Sequence, residues 1–500
     1  MRKRYVKGKE LFVMLLAIIF AFTGSFSTTA YAAKPAKNDR TAPSAPQNLI
    51  AKSIADTYVD LTWNASTDNY NAITYDIYKD NIIIGNTLGT TYHASGLLPA
   101  NTYVFYIKAK DSAYNISLPS NYLTVTTSTA ILSPTPVPTT TPTPTPVPTL
   151  PLKMVGYYAA WAAYSGYTPD KIDSSKLTHI NYAFANIGSD LKITLGYPDV
   201  DPSNISKLNA LKLINPNLKT IIAVGGWSWS GRFSHAALTD ASRTIFADSC
   251  VDFIVKYGFD GIDIDWEYPV SGGLSTNIRR PEDKYNFTLL MKKLREKLDL
   301  RGAADGKHYI LTFAVAAGSW YINNIELSLV QPYVDYVNLM TYDIHGTWEA
   351  YTDFNAPLYN NNDVSPQDKW SVDASVNVWL KAGFPKEKIV MGVPFYGYIY
   401  KAVTNINHGL YQTYSGGASI SYVNIAANYI NAPGFVRYFH PESMVPWLFD
   451  GSTFITYEDE QSMGLKAQYI KTKGLGGAMI WELSQDPNAV LLNSLFNGLK

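Results

Sequence analysis

The sequence predicts an α/β chain: a (β/α)8 barrel over residues 153–500, with a small α+β insertion before its last strand, preceded by an all-β sandwich over residues 42–128. Three observations predict it. After Lys153, eight β-rich runs alternate with helix-like stretches. Over 42–128, short strand-like runs are separated by turn residues, and no helical period competes. Between the two lies SPTPVPTTTPTPTPVPTLP at 133–151, in which neither helix nor sheet can form, because proline removes donors and fixes φ.

Residues 1–32 read as a secretory signal peptide. Arg2, Lys3, Arg4, Lys7 and Lys9 form a basic start, Leu11 to Phe22 an apolar run, and Ala30-Tyr31-Ala32 a small-x-small cleavage site. The apolar run is short for a membrane span. The mature chain is therefore expected to be secreted, extracellular and free of the membrane after cleavage. The whole chain is formally neutral, but residues 1–32 hold five bases and one acid. Residues 33–500 hold 36 bases and 40 acids, a net charge of −4. No basic surface is expected to recruit nucleic acid. Cys250 is the only cysteine, so an intramolecular disulfide is excluded. It sits in FADSCVDFIVKYG, whose helical apolar spacing predicts a buried thiol rather than a nucleophile. A monomer is the expected state.

In the sandwich segment, VDLTW (59–63), ITYDIYKD (73–80) and TYVFYIKAKD (102–111) carry the strand pattern. Trp63 and Tyr103, the latter following Leu97-Leu98-Pro99, match a buried tryptophan and a tyrosine corner. On these the segment resembles a fibronectin type III domain. Residues 129–152 are then a Pro/Thr-rich linker, extending about 3.1 Å per residue. Its threonines offer sites for O-glycans.

The barrel strands are expected at 154–161, 178–187, 219–226, 261–268, 309–317, 336–343, 388–397 and 474–483. The Tyr/Asn/Gly-rich stretch at about 398–457 is the inserted α+β unit. The fourth run contains FDGIDIDWEYP (259–269), with acids at Asp260, Asp263, Asp265 and Glu267. Side chains alternate along a strand, so Asp263, Asp265 and Glu267 share one face and Ile262, Ile264 and Trp266 the other. From the period alone, the acidic face could equally be a solvated one. Inside a barrel it would line the interior and the C-terminal mouth, where catalytic groups of this fold sit. Acids there would lie about 6.8 Å apart. Such crowding away from water pushes their pKa values apart and keeps a proton on one of them. A carboxyl protonated near neutral pH is what cleavage of a glycosidic bond requires.

At these residues the segment resembles the family 18 glycoside hydrolases, the chitinase family. Asp260, Asp263, Asp265 and Glu267 fill the family's DxxDxDxE pattern. Val224-Gly225-Gly226-Trp227, Met340-Thr341-Tyr342-Asp343, Trp481 in GGAMIWEL, and Tyr157 match further positions. The resemblance implies Glu267 as general acid and then base, with the substrate's N-acetyl oxygen as nucleophile and an oxazolinium intermediate. It implies that Asp265 orients the acetamido group, that Asp263 shares a proton with Asp265, and that Tyr342 donates to the acetamido oxygen. Asp343 would bind the distorted sugar, Trp481 would form its floor, and Tyr157 would lie beneath the acids. Asp260 would brace the strand. Met340, Trp227 and Trp348 complete the expected substrate contacts, with Trp161, Trp229 and Trp320 as further stacking candidates. No metal or organic cofactor is implied.

The implied substrate is chitin or its oligosaccharides, cleaved at β-1,4-N-acetylglucosamine linkages with retention. Cleavage within N-glycan cores and a non-catalytic chitin lectin are the alternatives; Glu267 speaks against the lectin. One departure stands out: Ala223 occupies a position where the family carries serine. Without that hydroxyl beside Asp263, a shifted pH profile is expected, and Ala223→Ser tests it.

Overall fold

The computed structural model describes residues 39–128, apart from 56, 57, 70–72, 96, 98 and 99, and residues 152–500, apart from 367. The signal-peptide reading, the linker up to residue 151, and Leu98-Pro99 of the tyrosine corner lie outside the described residues. The chain divides into two compact units at about residue 145.

Among its described residues the first unit is a sandwich of seven strands: β1 (Gln47–Ile54), β2 (Tyr58–Asn64), β3 (Thr74–Lys79), β4 (Ile82–Thr87), β5 (Thr91–Ser95), β6 (Thr102–Lys110) and β7 (Leu123–Thr126). They form two antiparallel sheets, ordered β1-β2-β5 and β4-β3-β6-β7. In β2, every second residue (Val59, Leu61, Trp63) is buried, as the period-2 pattern requires. Trp63 meets the Tyr75 ring edge-on at 5.4 Å and belongs to the core with Ile77, Phe105 and Ile107.

The second unit is a closed barrel. Its parallel strands are β8 (Lys153–Ala159), β9 (His179–Ile187), then, after the short antiparallel β10 (Ile193–Leu195), β11 (Lys219–Gly225), β12 (Gly261–Asp265), β13 (Ile310–Ala316), β14 (Tyr336–Met340) and β15 (Ile389–Pro394). A second sheet intervenes before the eighth barrel strand: β16 (Tyr396–Lys401), β17 (Gly416–Ser421), β18 (Val436–His440), β19 (Val445–Phe449) and β20 (Phe454–Thr456). The eighth strand, β21 (Gly477–Trp481), pairs with β15 and β8, and β8 pairs with β9, closing the ring. The inserted sheet is antiparallel, ordered β17-β16-β20-β19-β18, and carries the helix Tyr422–Asn428. It begins at Tyr396, directly after β15.

Several strands end earlier than their composition suggests, two of them at the site. β12 stops at Asp265 rather than at 268, and β14 at Met340 rather than at 343. The ladder from β11 runs only to the Gly225–Asp265 pair. There β11 turns away through Gly225 and Gly226, both at positive φ (102° and 72°). A Cβ on Gly225 would come within 2.3 Å of the Asp265 carbonyl, so the turn needs glycine. Asp265, Glu267 and Tyr342 thus occupy the strand ends and the first residues beyond them.

The helix Asp240–Tyr257 shows how the connections are specified. Thr239 and Ser242 form a capping box, and Gly258 ends the helix in the left-handed conformation. Cys250 on this helix is fully buried, and burial pushes its thiol pKa up. Among the described residues no helix is long and apolar enough to cross a membrane.

Candidate active site

The fourth barrel strand sorts its side chains as its alternation requires. Ile262, Ile264 and Trp266 are buried on the outer face. The Trp266 ring stacks on Phe233 at 5.4 Å and packs against Phe287, on the helix Asp283–Asp305, at 6.0 Å. The acids face inward. Asp260 precedes the strand and braces it: its Oδ2 accepts the Thr220 N–H at 2.9 Å and pairs with Lys212 at 2.7 Å.

Asp263 is fully buried inside the barrel. Its carboxylate accepts from the Thr312 hydroxyl at 2.5 Å, the Tyr157 hydroxyl at 2.6 Å and Asn338 Nδ2 at 3.2 Å. Burial raises its pKa, and these donors pull part of that rise back. The carboxylate is therefore engaged by its neighbours on β13, β8 and β14. Asp265 is different. Its Oδ1 is buried without a hydrogen-bond partner. Burial first, then the charges of Glu267 and Asp263, push its pKa well above the usual carboxylate range.

Glu267 lies two residues past the end of β12. Its N–H donates to the Ser230 hydroxyl at 2.8 Å, and its carbonyl accepts from Asn277 Nδ2 at 3.0 Å. The same Ser230 hydroxyl lies 2.9 Å from the Gly226 carbonyl and 3.1 Å from that of Asp265. It thus ties the loop after β11 to the end of β12. Burial raises the Glu267 pKa to about 7, with a hydrogen bond from Tyr268 opposing the rise and the charge of Asp343 adding to it.

Asp343 sits beyond β14 with φ of +53°. Its Oδ1 accepts from the Tyr396 and Tyr398 hydroxyls, each at 2.5 Å. Burial raises its pKa and the two hydroxyls lower it. Tyr342 is buried, with its hydroxyl 3.7 Å from Met479 Sδ. Burial, followed by the charge of Asp265, holds that phenol well above its ordinary pKa.

These groups converge on a cavity of about 410 Å³ at the C-terminal end of the barrel. Tyr157, Asp265, Glu267, Tyr342, Asp343 and Trp481 border it. Met340 and Trp227 border it too, Trp227 with half of its surface exposed. The Trp481 ring packs on Tyr157 at 5.5 Å and stacks on Phe184 at 5.8 Å, and both neighbours also border the cavity. Asp263 lies one layer deeper and does not border the cavity. Trp348 does not border it either; its ring stands perpendicular to that of Tyr398 at 5.6 Å, and it is 60% exposed. Of the other tryptophans, Trp161 and Trp229 border the cavity and Trp320 packs against Tyr268 instead.

Sequence reasoning missed several members. Thr312 and Asn338 reach Asp263 only through the parallel register, in which Asp263 pairs with Thr312 and Ala314 with Asn338. Ser230 and Phe184 carry no signal of their own. Tyr396 and Tyr398 do carry one: FYGYIY alternates tyrosines along β16, which puts both on one face.

A closed barrel whose C-terminal mouth crowds carboxyls beside aromatic rings, one carboxyl with its pKa raised to about 7, has the groups that glycosidic-bond cleavage uses. The profile of Glycosyl hydrolases family 18 matches residues 153–486, and that of the fibronectin type III domain matches residues 44–126. The chain belongs to glycoside hydrolase family 18 and carries a fibronectin type III domain ahead of its TIM barrel. It is 45% identical over 405 residues to Chitinase A1 of Niallia circulans, covering 69% of this chain and 58% of that protein. The chain thus spans little more than half the length of that curated relative. Among solved structures it is similar to a family 18 N-acetylglucosaminidase from Paenibacillus barengoltzii, at 42% identity and a TM-score of 0.64 over 69% of this chain and 99% of that one. It is also similar to chitinase ChiA74 from Bacillus thuringiensis, at 37% identity and a TM-score of 0.67 over 70% of each chain.

Proposed function

We propose that this chain is a secreted chitinase that hydrolyses β-1,4-N-acetylglucosamine linkages with retention, using the substrate's own acetamido group as nucleophile. The observation that carries the reading is Glu267, a buried carboxyl with a pKa raised to about 7, set on the cavity wall with Asp265 beside it.

In the first step Glu267 gives its proton to the glycosidic oxygen. The C1–O bond breaks with its electrons going to that oxygen. The acetamido oxygen attacks C1 and closes an oxazolinium ring. Asp265 faces the acetamido nitrogen, where positive charge develops. Its buried Oδ1, which has no hydrogen-bond partner, is suited to that contact. Tyr342 donates to the acetamido oxygen and fixes its angle of attack. Asp343 holds the hydroxyls of the distorted sugar, and Trp481 supports its face. In the second step Glu267, now a carboxylate, takes a proton from water as that water attacks C1. The ring reopens and the original configuration is restored. Asp263 and Tyr157 act from beneath, Asp263 by its charge on Asp265. Trp227 and Met340 border the same space, and Trp348 stands farther along the wall.

The name of the Paenibacillus relative supports a second reading of the product: release of single N-acetylglucosamine units. One experiment addresses both. The wild-type chain and Glu267→Gln are incubated with chitin oligomers and with a high-mannose glycoprotein, and the products are separated. Oligomer cleavage by the wild type alone is expected. A wild type inert on both substrates would overturn the enzyme reading, and an active Glu267→Gln would overturn the acid assignment. Products of one sugar unit only would favour the second reading. Recovery from the medium of a chain starting at Ala33 would support secretion.

A further inference from the structure

Asp343 is the wall residue whose placement depends most on elements outside the barrel. It follows β14 in a left-handed conformation that a non-glycine residue adopts only when its surroundings hold it there. Asn355 grips its backbone. Asn355 Oδ1 accepts the Asp343 N–H at 2.8 Å, and the Asn355 carbonyl accepts the Ile344 N–H at 3.0 Å. The same residue reaches the inserted sheet twice. Its Nδ2 donates to the Tyr396 carbonyl on β16 at 3.3 Å, and its N–H donates to the Thr456 hydroxyl on β20 at 3.0 Å. Asn355 is nearly fully buried.

The other end of Asp343 is gripped by the inserted sheet itself, through the Tyr396 and Tyr398 hydroxyls on Oδ1. The ring of Tyr398 then carries Trp348. The residue after Asn355 is anchored as well. The Ala356 carbonyl accepts from Lys466 Nζ at 2.8 Å, and Lys466 forms a buried pair with Glu458 at 2.5 Å. Lys466 belongs to the barrel helix Glu460–Lys473, whereas Glu458 lies just past the end of β20.

We propose that Asn355 and Tyr398 are positioning residues for Asp343, so that the inserted sheet sets the sugar-holding carboxylate as well as standing beside the cleft. The proposal rests on the chitinase reading above. Neither residue borders the cavity, and both are buried. Plain packing would account for the burial of Asn355. It does not account for two phenol hydroxyls converging on one carboxylate oxygen while an amide holds the same residue's backbone. Because Asp343 meets the sugar in its distorted form, the contact strengthens toward the transition state. Its loss should appear in kcat more than in KM.

The test measures kcat and KM separately on the hexamer of β-1,4-linked N-acetylglucosamine for wild type, Asn355→Ala and Tyr398→Phe. Folding is checked by near-ultraviolet circular dichroism. Tyr398→Phe keeps the ring against Trp348 and removes one oxygen. Tyr398→Phe is expected to lose about tenfold in kcat, the size of one hydrogen bond to a charged group, and Asn355→Ala at least as much by freeing the Asp343 backbone, each with KM within twofold of wild type. A kcat unchanged in Tyr398→Phe overturns the proposal whatever Asn355→Ala does, and so does a raised KM at unchanged kcat. A wild type inert on the hexamer instead overturns the chitinase reading, and this inference with it. An active wild type and an unaltered Tyr398→Phe overturn this inference alone.

Discussion

Thr312 and Asp263 are register partners across β12 and β13, and the Thr312 hydroxyl donates to Asp263 Oδ1 at 2.5 Å. On the other side of the same layer, Asp263 pairs in register with Ala223. A hydroxyl therefore reaches the deepest acid from β13, where the family pattern would bring one from β11. With Tyr157 and Asn338 it offsets part of what burial does to this carboxyl.

Thr312→Val removes that donor at nearly constant volume. It is expected to lower kcat/KM by about tenfold to a hundredfold, the range for a hydrogen bond to a buried charge. Ala223→Ser alone should change little, in place of the pH shift expected from the sequence, because Asp263 already has a hydroxyl from Thr312. Added to Thr312→Val, it should recover part of the loss. Steady-state kinetics of the two singles and the double check this, and additive effects in the double would exclude the exchange.

The raised pKa of Glu267 sets the alkaline limb. The general acid must be protonated, so kcat/KM on chitin oligomers should fall about tenfold per pH unit above about 7. A limb centred near the ordinary glutamate value would contradict the burial argument.

Glu267→Gln should lose about a hundredfold to ten-thousandfold in kcat. It also carries a stability signature. A folded-state pKa above the unfolded one means stability that is present below about 4.5 and is lost as pH rises through about 7. The glutamine has no proton to lose. The variant's thermal midpoint should therefore exceed the wild type's above pH 7 and match it more closely at pH 4, as calorimetry at the two pH values would show.

Trp481 and Trp348 should separate by substrate length. Trp481 borders the cavity, so Trp481→Ala should cut kcat/KM about tenfold or more on every oligomer. Trp348 stands one ring farther out on Tyr398. Trp348→Ala should slow the hexamer and the polymer several-fold and leave the shortest cleaved oligomer near wild type. Equal losses at all lengths would place Trp348 at the cavity after all.

The eight strand runs, the inserted unit and the inward acids were legible because each leaves a local mark: a period, a composition or a motif. The limits of the strands were less legible. GIDIDWEY reads as one continuous strand, yet its ladder ends at Asp265 because β11 turns at Gly225 and Gly226. Trp227 and Trp348 look alike in sequence, each just past a strand-like run, but only Trp227 borders the cavity.

By itself the sequence determined which residues share a face of the fourth strand, since alternation there is a property of the extended backbone. The family resemblance, not the period, points that face inward; Asp265 and Glu267 border the cavity and Asp263 lies a layer beneath it. Only the tertiary structure decided what holds each of them. The partners of Asp263 come from β8, β13 and β14, and those of Asp343 from the loop at Asn355 and from β16. Such contacts depend on interstrand register and on the docking of one sheet against a barrel rim, which bring together residues 12 to 106 positions apart. No local pattern encodes them.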